Sequence, residues 1–407
     1  MKYFLGMAAN YSRKARLLHT FAIGRKKDCD DLKTFLEKKY NGEAILCKNG
    51  RSALALALKA YFEPGDGILV NGFTCYAVYE AIKAARLKPI FVDISQENLN
   101  FNDKTLEAAL AAACPSDTLQ AAQAKSSRSV EHITTSAASA TVDDLNSRDS
   151  SKTFVKGIIV QNTLGNPVDI KLIEKFAKKY DLTIIEDLAH CAGVKYPDGR
   201  ECGTVGAATA FSFGKDKSID TISGGAVVFR DAKKHEIKAP TKIPKLSDHL
   251  RARFYPAFGA FCRVLTYIHL GGALMRLFVK IHFVERSADN KLDLERRLSK
   301  FEAKLALRQF RNLDKAGEPP LREFFLVDNR DEVLKNLVDR GYYFSGFWYE
   351  KPVSPERYYD KVGFPEKECE NAVFVSNHII NLPKHYSKAA LEPARKIIEP
   401  FLLEEEE

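Results

Sequence analysis

Two lysines stand where a folded core rarely keeps them. Residues 211–225 read FSFGKDKSIDTISGG. An apolar stretch from Val205 to Phe213 delivers Ser212, then Lys215 and Lys217, into a turn of small residues. Ala226–Phe229 then resumes as an apolar strand. An amine held between two strands is a candidate nucleophile or proton carrier, because an unpaired ammonium is costly in a core. Taken alone, the stretch also suits two solvated charges flanking Asp216.

Two further groups could complete such a site. Residues 182–193 read LTIIEDLAHCAG, a short apolar strand ending in Glu186 and Asp187, with His190 three residues on. A carboxylate at the C-terminal end of a parallel strand lies where α/β sheets bind ligands. The same residues also suit a helix N-cap at Asp187 and a polar His190 on the first turn of that helix. Residues 47–56 read CKNGRSALAL. Asn49-Gly50 is turn chemistry, Ser52 is a candidate N-cap, and an Ala/Leu-rich helix follows. Such a helix start attracts phosphate, and Arg51 adds a cation.

Taken in order, these motifs and several between them resemble the DegT-type sugar aminotransferases, pyridoxal-phosphate enzymes of fold type I. The resemblance rests on GRSAL at 50–54, PGDGIL at 64–69, GFTCYAV at 72–78 and KPIFVDI at 88–94. It continues through GNPVD at 165–169, IIEDLAHCAG at 184–193 and FSFGKDK at 211–217. It covers residues 28–229 and resumes more weakly from Arg297. It implies an α/β architecture: a large domain with a mostly parallel sheet under helices, plus a smaller C-terminal α+β domain. It also implies pyridoxal 5'-phosphate as cofactor.

In that register Lys217 is the amine that joins the cofactor, with Lys215 as its rival two positions away. Asp187 holds the proton of the pyridinium nitrogen, and His190 sits near the ring. Gly50, Arg51, Ser52 and the Ser212 hydroxyl hold the phosphate. Cys75 occupies a position where the family often has a stacking aromatic. Its neighbours Phe73 and Tyr76 are aromatic, so the stacking residue stays open. The phosphate ligand that the family takes from a partner subunit should fall near Glu295 or Arg296. No Gly-Tyr-Asn occurs there, which leaves Asn290, Arg296 or Arg297.

The implied activity is transamination of a nucleotide-linked keto-sugar in polysaccharide biosynthesis, with glutamate as amino donor, by a homodimer. Two alternatives remain: another keto substrate such as a cyclitol ketone, or a non-catalytic regulator that retains the fold.

Composition agrees with a soluble globular chain. Its 407 residues are 45% hydrophobic and 28% charged. The net charge of +9 suits anionic small molecules and is too modest to point to nucleic acid. The eight cysteines form no CxxC pair. They read as reduced thiols of a cytoplasmic protein without a metal site.

Strand and helix patterns alternate through the first half. Helices are expected at 31–40, 52–61, 76–85 and 170–180, and strands at 67–71, 89–92, 156–160 and 182–185. Three domains follow: 1–245 with an N-terminal arm, 246–290 as a helical insertion, and 291–407. Residues 115–152 are rich in Ser, Ala, Thr and Asp without aromatics and read as a disordered surface insertion. Residues 250–285 carry apolar residues at 254, 257, 258, 261, 264, 265 and 268 among basic ones. This stripe suits a membrane surface at the inner face, a membrane-bound partner, or burial against a dimer mate.

Overall fold

The computed structural model describes residues 2–5, 7–113, 154–231, 235, 237–286, 289–316, 321–344 and 348–403. The expected insertion at 115–152 lies outside the described residues. The strands are β1 Tyr3–Leu5, β2 Glu43–Cys47, β3 Gly67–Asn71, β4 Thr74–Cys75, β5 Lys88–Val92, β6 Val155–Val160, β7 Thr183–Asp187, β8 Ala208–Ser212, β9 Gly225–Phe229, β10 Arg322–Leu326, β11 Tyr342–Phe344, β12 Val353–Ser354 and β13 Ile379–Pro383.

Seven of them form one sheet in the order β2-β9-β8-β7-β6-β3-β5. All neighbours pair in parallel except where β9 runs against β2 and β8. The strands are apolar on both faces because both faces are covered. Consecutive residues enter opposite cores: Ile158, Phe211 and Val228 pack on one side, Ile159, Ala210 and Val227 on the other. This is the mostly parallel, doubly covered sheet that the strand–helix alternation predicts.

Local chemistry sets the helix that opens the site. Helix α3, Gly50–Tyr61, follows α1 at Arg13–Phe21 and α2 at Lys26–Tyr40. Its cap is Asn49, whose side-chain oxygen accepts from the Ser52 N–H at 2.9 Å. The helix therefore starts two residues before the Ser52 cap expected from sequence. Asn caps at least as well as Ser, and it frees the Ser52 hydroxyl to accept from the Asp293 N–H at 2.9 Å.

A second core, with Val327, Leu337, Ile380, Leu382, Leu391 and Ile398, forms around the antiparallel pair β10–β13 and the helices Arg330–Asp339 and Lys388–Ile398. The N-terminal arm lies across this chain. Its β1 pairs in parallel with β11, and α1 packs on the helix Leu246–Leu265. That helix and Gly271–Lys280 form a hairpin. The apolar stripe read from sequence over 254–268 is split by this arrangement. Phe258 turns inward against Phe278 and Phe283, whereas Phe254, Phe261 and Val264 stay exposed.

The arm is fastened by a histidine with a predictable pH response. His19 is buried at the junction, with Nε2 2.9 Å from the Ala252 carbonyl oxygen. Burial, reinforced by Arg253, lowers its pKa from 6.5 to about 4, against the pull of that hydrogen bond. The native state thus favours the neutral ring, and the unfolded chain binds more protons between those values. This stabilisation is complete above pH 6.5 and is lost as pH falls toward 4. It amounts to roughly 3 kcal/mol. His19→Gln should flatten the fall of the melting temperature between about pH 7 and pH 5. An unchanged slope in that variant would exclude the role.

Candidate active site

A cavity of about 450 Å³ opens at the C-terminal ends of the parallel strands. It is lined by the start of α3, the end of β7, Ser212 at the end of β8, the loop after it, and residues of the C-terminal part. That location follows from topology, since open α/β sheets bind ligands at this edge.

Strand alternation separates the two carboxylates of β7. Glu186 faces away from the cavity and is fully enclosed. It accepts from the N–H groups of Gly203, Val205 and Gly206 at 2.6–2.9 Å, from the Tyr196 hydroxyl at 2.7 Å, and from Arg230 at 3.1 Å. Its role is to hold the sheet to the following loop. Asp187 faces the cavity and accepts from the Ala189 N–H at 2.9 Å. Burial raises its pKa, with the Ala189 hydrogen bond and the charge of Lys217 pulling the other way. No helix follows β7. Residues 189–193 form turns, and His190 comes from these turns rather than from a helical first turn.

His190 is fixed at both nitrogens. Its Nδ1 accepts from the Leu164 N–H at 3.1 Å, so the proton of the neutral ring resides on Nε2. Nε2 lies 2.9 Å from Lys217 Nζ and 3.4 Å from the Tyr349 hydroxyl. Burial, then the charges of Lys217 and Arg322, hold the His190 pKa well below its usual value. The donor Nε2–H therefore points at a lysine whose own pKa is lowered by burial. A neutral amine accepts that hydrogen bond; an ammonium would not.

The two lysines point to different surroundings. Lys215 Nζ donates to the Glu285 carbonyl and lies 4.2 Å over the Tyr255 ring, both in the hairpin segment. Lys217 Nζ faces His190 and lies 4.5 Å over the Trp348 ring. The loop that carries both is organised by Asp220. Its carboxylate accepts from the Asp216 N–H at 2.8 Å, the Ile222 N–H at 2.9 Å, Asn10 at 2.8 Å and the Tyr11 hydroxyl at 3.0 Å. Asp216 and Ile222 both have left-handed backbone, with φ of 60° and 72°. Four donors on one carboxylate offset that strain.

At the other wall, α3 meets β8 with no side chain between. A Cβ on Gly50 would lie 2.4 Å from Ser212 Cβ, so only glycine allows this approach. A helix start leaves its first N–H groups without intrahelical partners, and here they adjoin the Ser212 hydroxyl. Arg51 is buried and ion-paired with Glu80. Ser52 is fully buried, its hydroxyl engaged by Asp293.

Among the aromatic candidates, Phe73 is buried edge-on against Tyr349, and Tyr76 stacks on Tyr358 at 4.4 Å. Cys75 lines the cavity; Tyr76 does not. Asn290 also lines it, whereas Arg296 pairs with Asp293 at 2.9 Å and Arg297 lies near Cys29.

Sequence reasoning missed several cavity residues, Gln161, Arg322, Trp348 and Tyr349 among them. Trp348 stacks on His190 with centroids 5.1 Å apart, and Arg322 lies 3.6 Å from the Trp348 ring. Arg322 is 3% exposed and donates to Asn381 at 2.8 Å. Burial lowers its pKa to about 10. Its only sequence signal is an arginine opening the apolar strand REFFL.

These residues fit pyridoxal phosphate. The glycine-only notch beside Ser212 suits the phosphate, and a desolvated amine lies with a buried carboxylate near a neutral imidazole.

Comparisons with known proteins agree. Over 198 residues the chain is 30% identical to GDP-perosamine synthase of Escherichia coli O157:H7, covering 48% of this chain and 43% of that protein. Over 227 residues it is 26% identical to the UDP-2-acetamido-2-deoxy-3-oxo-D-glucuronate aminotransferase of Pseudomonas aeruginosa, covering 56% and 50%. The chain thus spans about half the length of the curated relatives it matches. The fold is shared over nearly the whole chain with S. venezuelae DesV, at a TM-score of 0.60, 20% identity and 98% coverage of both chains. With residues 30–115 and 131–318 matching the pattern of that family, the chain belongs to the DegT/DnrJ/EryC1/StrS aminotransferase family.

Proposed function

We propose that this chain is a pyridoxal-phosphate aminotransferase that moves an amino group from glutamate to a ketone on a nucleotide-linked sugar. One observation carries the reading: a desolvated Lys217 amine 2.9 Å from a single-tautomer His190, in a cavity shared with Asp187. When bound, the cofactor supplies an electron sink for the carbon that loses or gains the amino group.

The chain supplies the rest. Lys217 would hold the cofactor and carry the proton, and burial lowers its pKa toward the free base. His190 donates Nε2–H toward Nζ and so orients its lone pair. Asp187 would hold the proton of the pyridinium nitrogen. Gly50, the first turn of α3 and Ser212 hold the phosphate. Arg322 receives the donor's carboxylate: it lines the cavity, with its guanidinium over the Trp348 ring and donating to Asn381. The nucleotide-sugar part draws on the perosamine synthase and glucuronate aminotransferase relatives. The net charge of +9, with Arg286 and Arg357 lining the cavity, suits such an anion.

The test is a two-stage reaction. Glutamate should bleach the near-visible absorbance of the loaded protein, and Arg322→Gln should demand more glutamate for the same bleaching. A panel of nucleotide keto-sugars should then restore the colour and yield an amino-sugar by mass. Loaded protein indifferent to glutamate would overturn the donor, and a panel without product would overturn the acceptor.

A further inference from the structure

We propose that the hairpin of Leu246–Leu265 and Gly271–Lys280 docks this protein onto an anionic lipid surface. The first helix is two-faced. Ala252, Pro256, Gly259 and Cys262 are buried, and a Cβ on Gly259 would lie 2.4 Å from the Met7 carbonyl oxygen of the arm. The opposite stripe carries Leu246, Leu250, Phe254, Phe261, Val264 and Ile268, all exposed, Leu246 at 72% and Val264 at 66%. Their steps of three, four and seven residues place them on one side of the helix and of the turn that carries Ile268. Leu277 and Ile281 continue the exposed apolar surface on the second helix, at 51% and 58%. A face of this kind marks an interaction site.

Charge selects the occupant. Residues 249–284 contain five Lys and Arg and no Asp or Glu. Arg251 pairs with Glu285, and Arg263 bonds the Met7 carbonyl, which fastens the hairpin to its own chain. Arg276 and Lys280 are exposed beside the apolar surface. A second copy docked by a twofold axis would set this acid-free segment against itself, cation to cation. An anionic headgroup layer complements it. No described helix is long and apolar enough to cross a membrane, so the hairpin lies in the interface plane.

The test uses the full chain loaded with cofactor, centrifuged with vesicles of phosphatidylcholine alone or with about one-third phosphatidylglycerol. The parent should pellet with the anionic vesicles and stay in solution with the neutral ones. Phe254→Ser with Phe261→Ser and Val264→Ser should abolish pelleting at unchanged solution mass and cofactor absorbance. Arg276→Gln with Lys280→Gln should weaken binding roughly thirtyfold, about fivefold per cation. A parent that ignores anionic vesicles, or pellets equally with neutral ones, overturns the proposal. A triple variant whose solution mass falls does so too, because the face then joins copies of the chain.

Discussion

Lys217→Ala is expected to lose the borohydride-fixed link between protein and pyridoxal phosphate and to slow transamination about 10⁴-fold. Lys215→Ala should keep the link. Both lysines line the cavity, so exposure alone does not separate them. Their partners do. Lys215 is committed to the Glu285 carbonyl and the Tyr255 ring, and breaking those contacts would loosen the hairpin. Lys217 faces only groups of the cavity, namely His190 and Trp348, with Asp187 near enough to affect its charge. The measurement is peptide mapping after borohydride reduction of each variant. An adduct that survives in Lys217→Ala and vanishes in Lys215→Ala would reverse the assignment.

Asp187→Asn is expected to fold and bind cofactor yet lose up to about a thousandfold in rate, because an opposite charge at close range shifts a pKa by roughly one to three units. Asparagine keeps the acceptor for the Ala189 N–H, so the turn should persist. It cannot hold a proton on the ring nitrogen. Burial alone disfavours the Asp187 carboxylate, and a cation facing it restores the charged form. Single-turnover rates with glutamate, beside the melting temperature, separate chemistry from folding. Turnover near that of the parent would remove Asp187 from the role.

Much of the sheet was legible because its signals are local. Gly67–Asn71 and Ile170–Tyr180 fall on the bounds their patterns predict, since an apolar run or a helical stripe needs only its own residues. The placing of Asp187 and His190 beside Lys217 follows from a strand end and a turn, and those too are short-range. What failed was nonlocal. Trp348 and Arg322 reach the cavity across more than a hundred residues from Lys217, from a part of the chain with no local chemical signature. Cap choice at α3 depended on Asp293, far away in sequence, which takes the Ser52 hydroxyl. Phe258 and Phe261 are alike in sequence, but one faces the second helix of the hairpin and the other faces out. Periodicity detects a stripe without saying which half of it a neighbour covers.

The arm closes the loop of Lys217 through Asn10 and Tyr11, which meet Asp220 across separations of 210 and 209 residues. Its strand meets β11 at Tyr342. On a ribosome these partners are made long after the arm itself. Its strand β1 must therefore wait, unpaired, while the sheet assembles, because β11 exists only when most of the chain has emerged. Sealing of the lysine loop needs only Asp220, made near the middle of the chain. Pairing of the arm's strand belongs to the end of synthesis, and a nascent chain stopped before Tyr342 carries a strand with no partner to pair with.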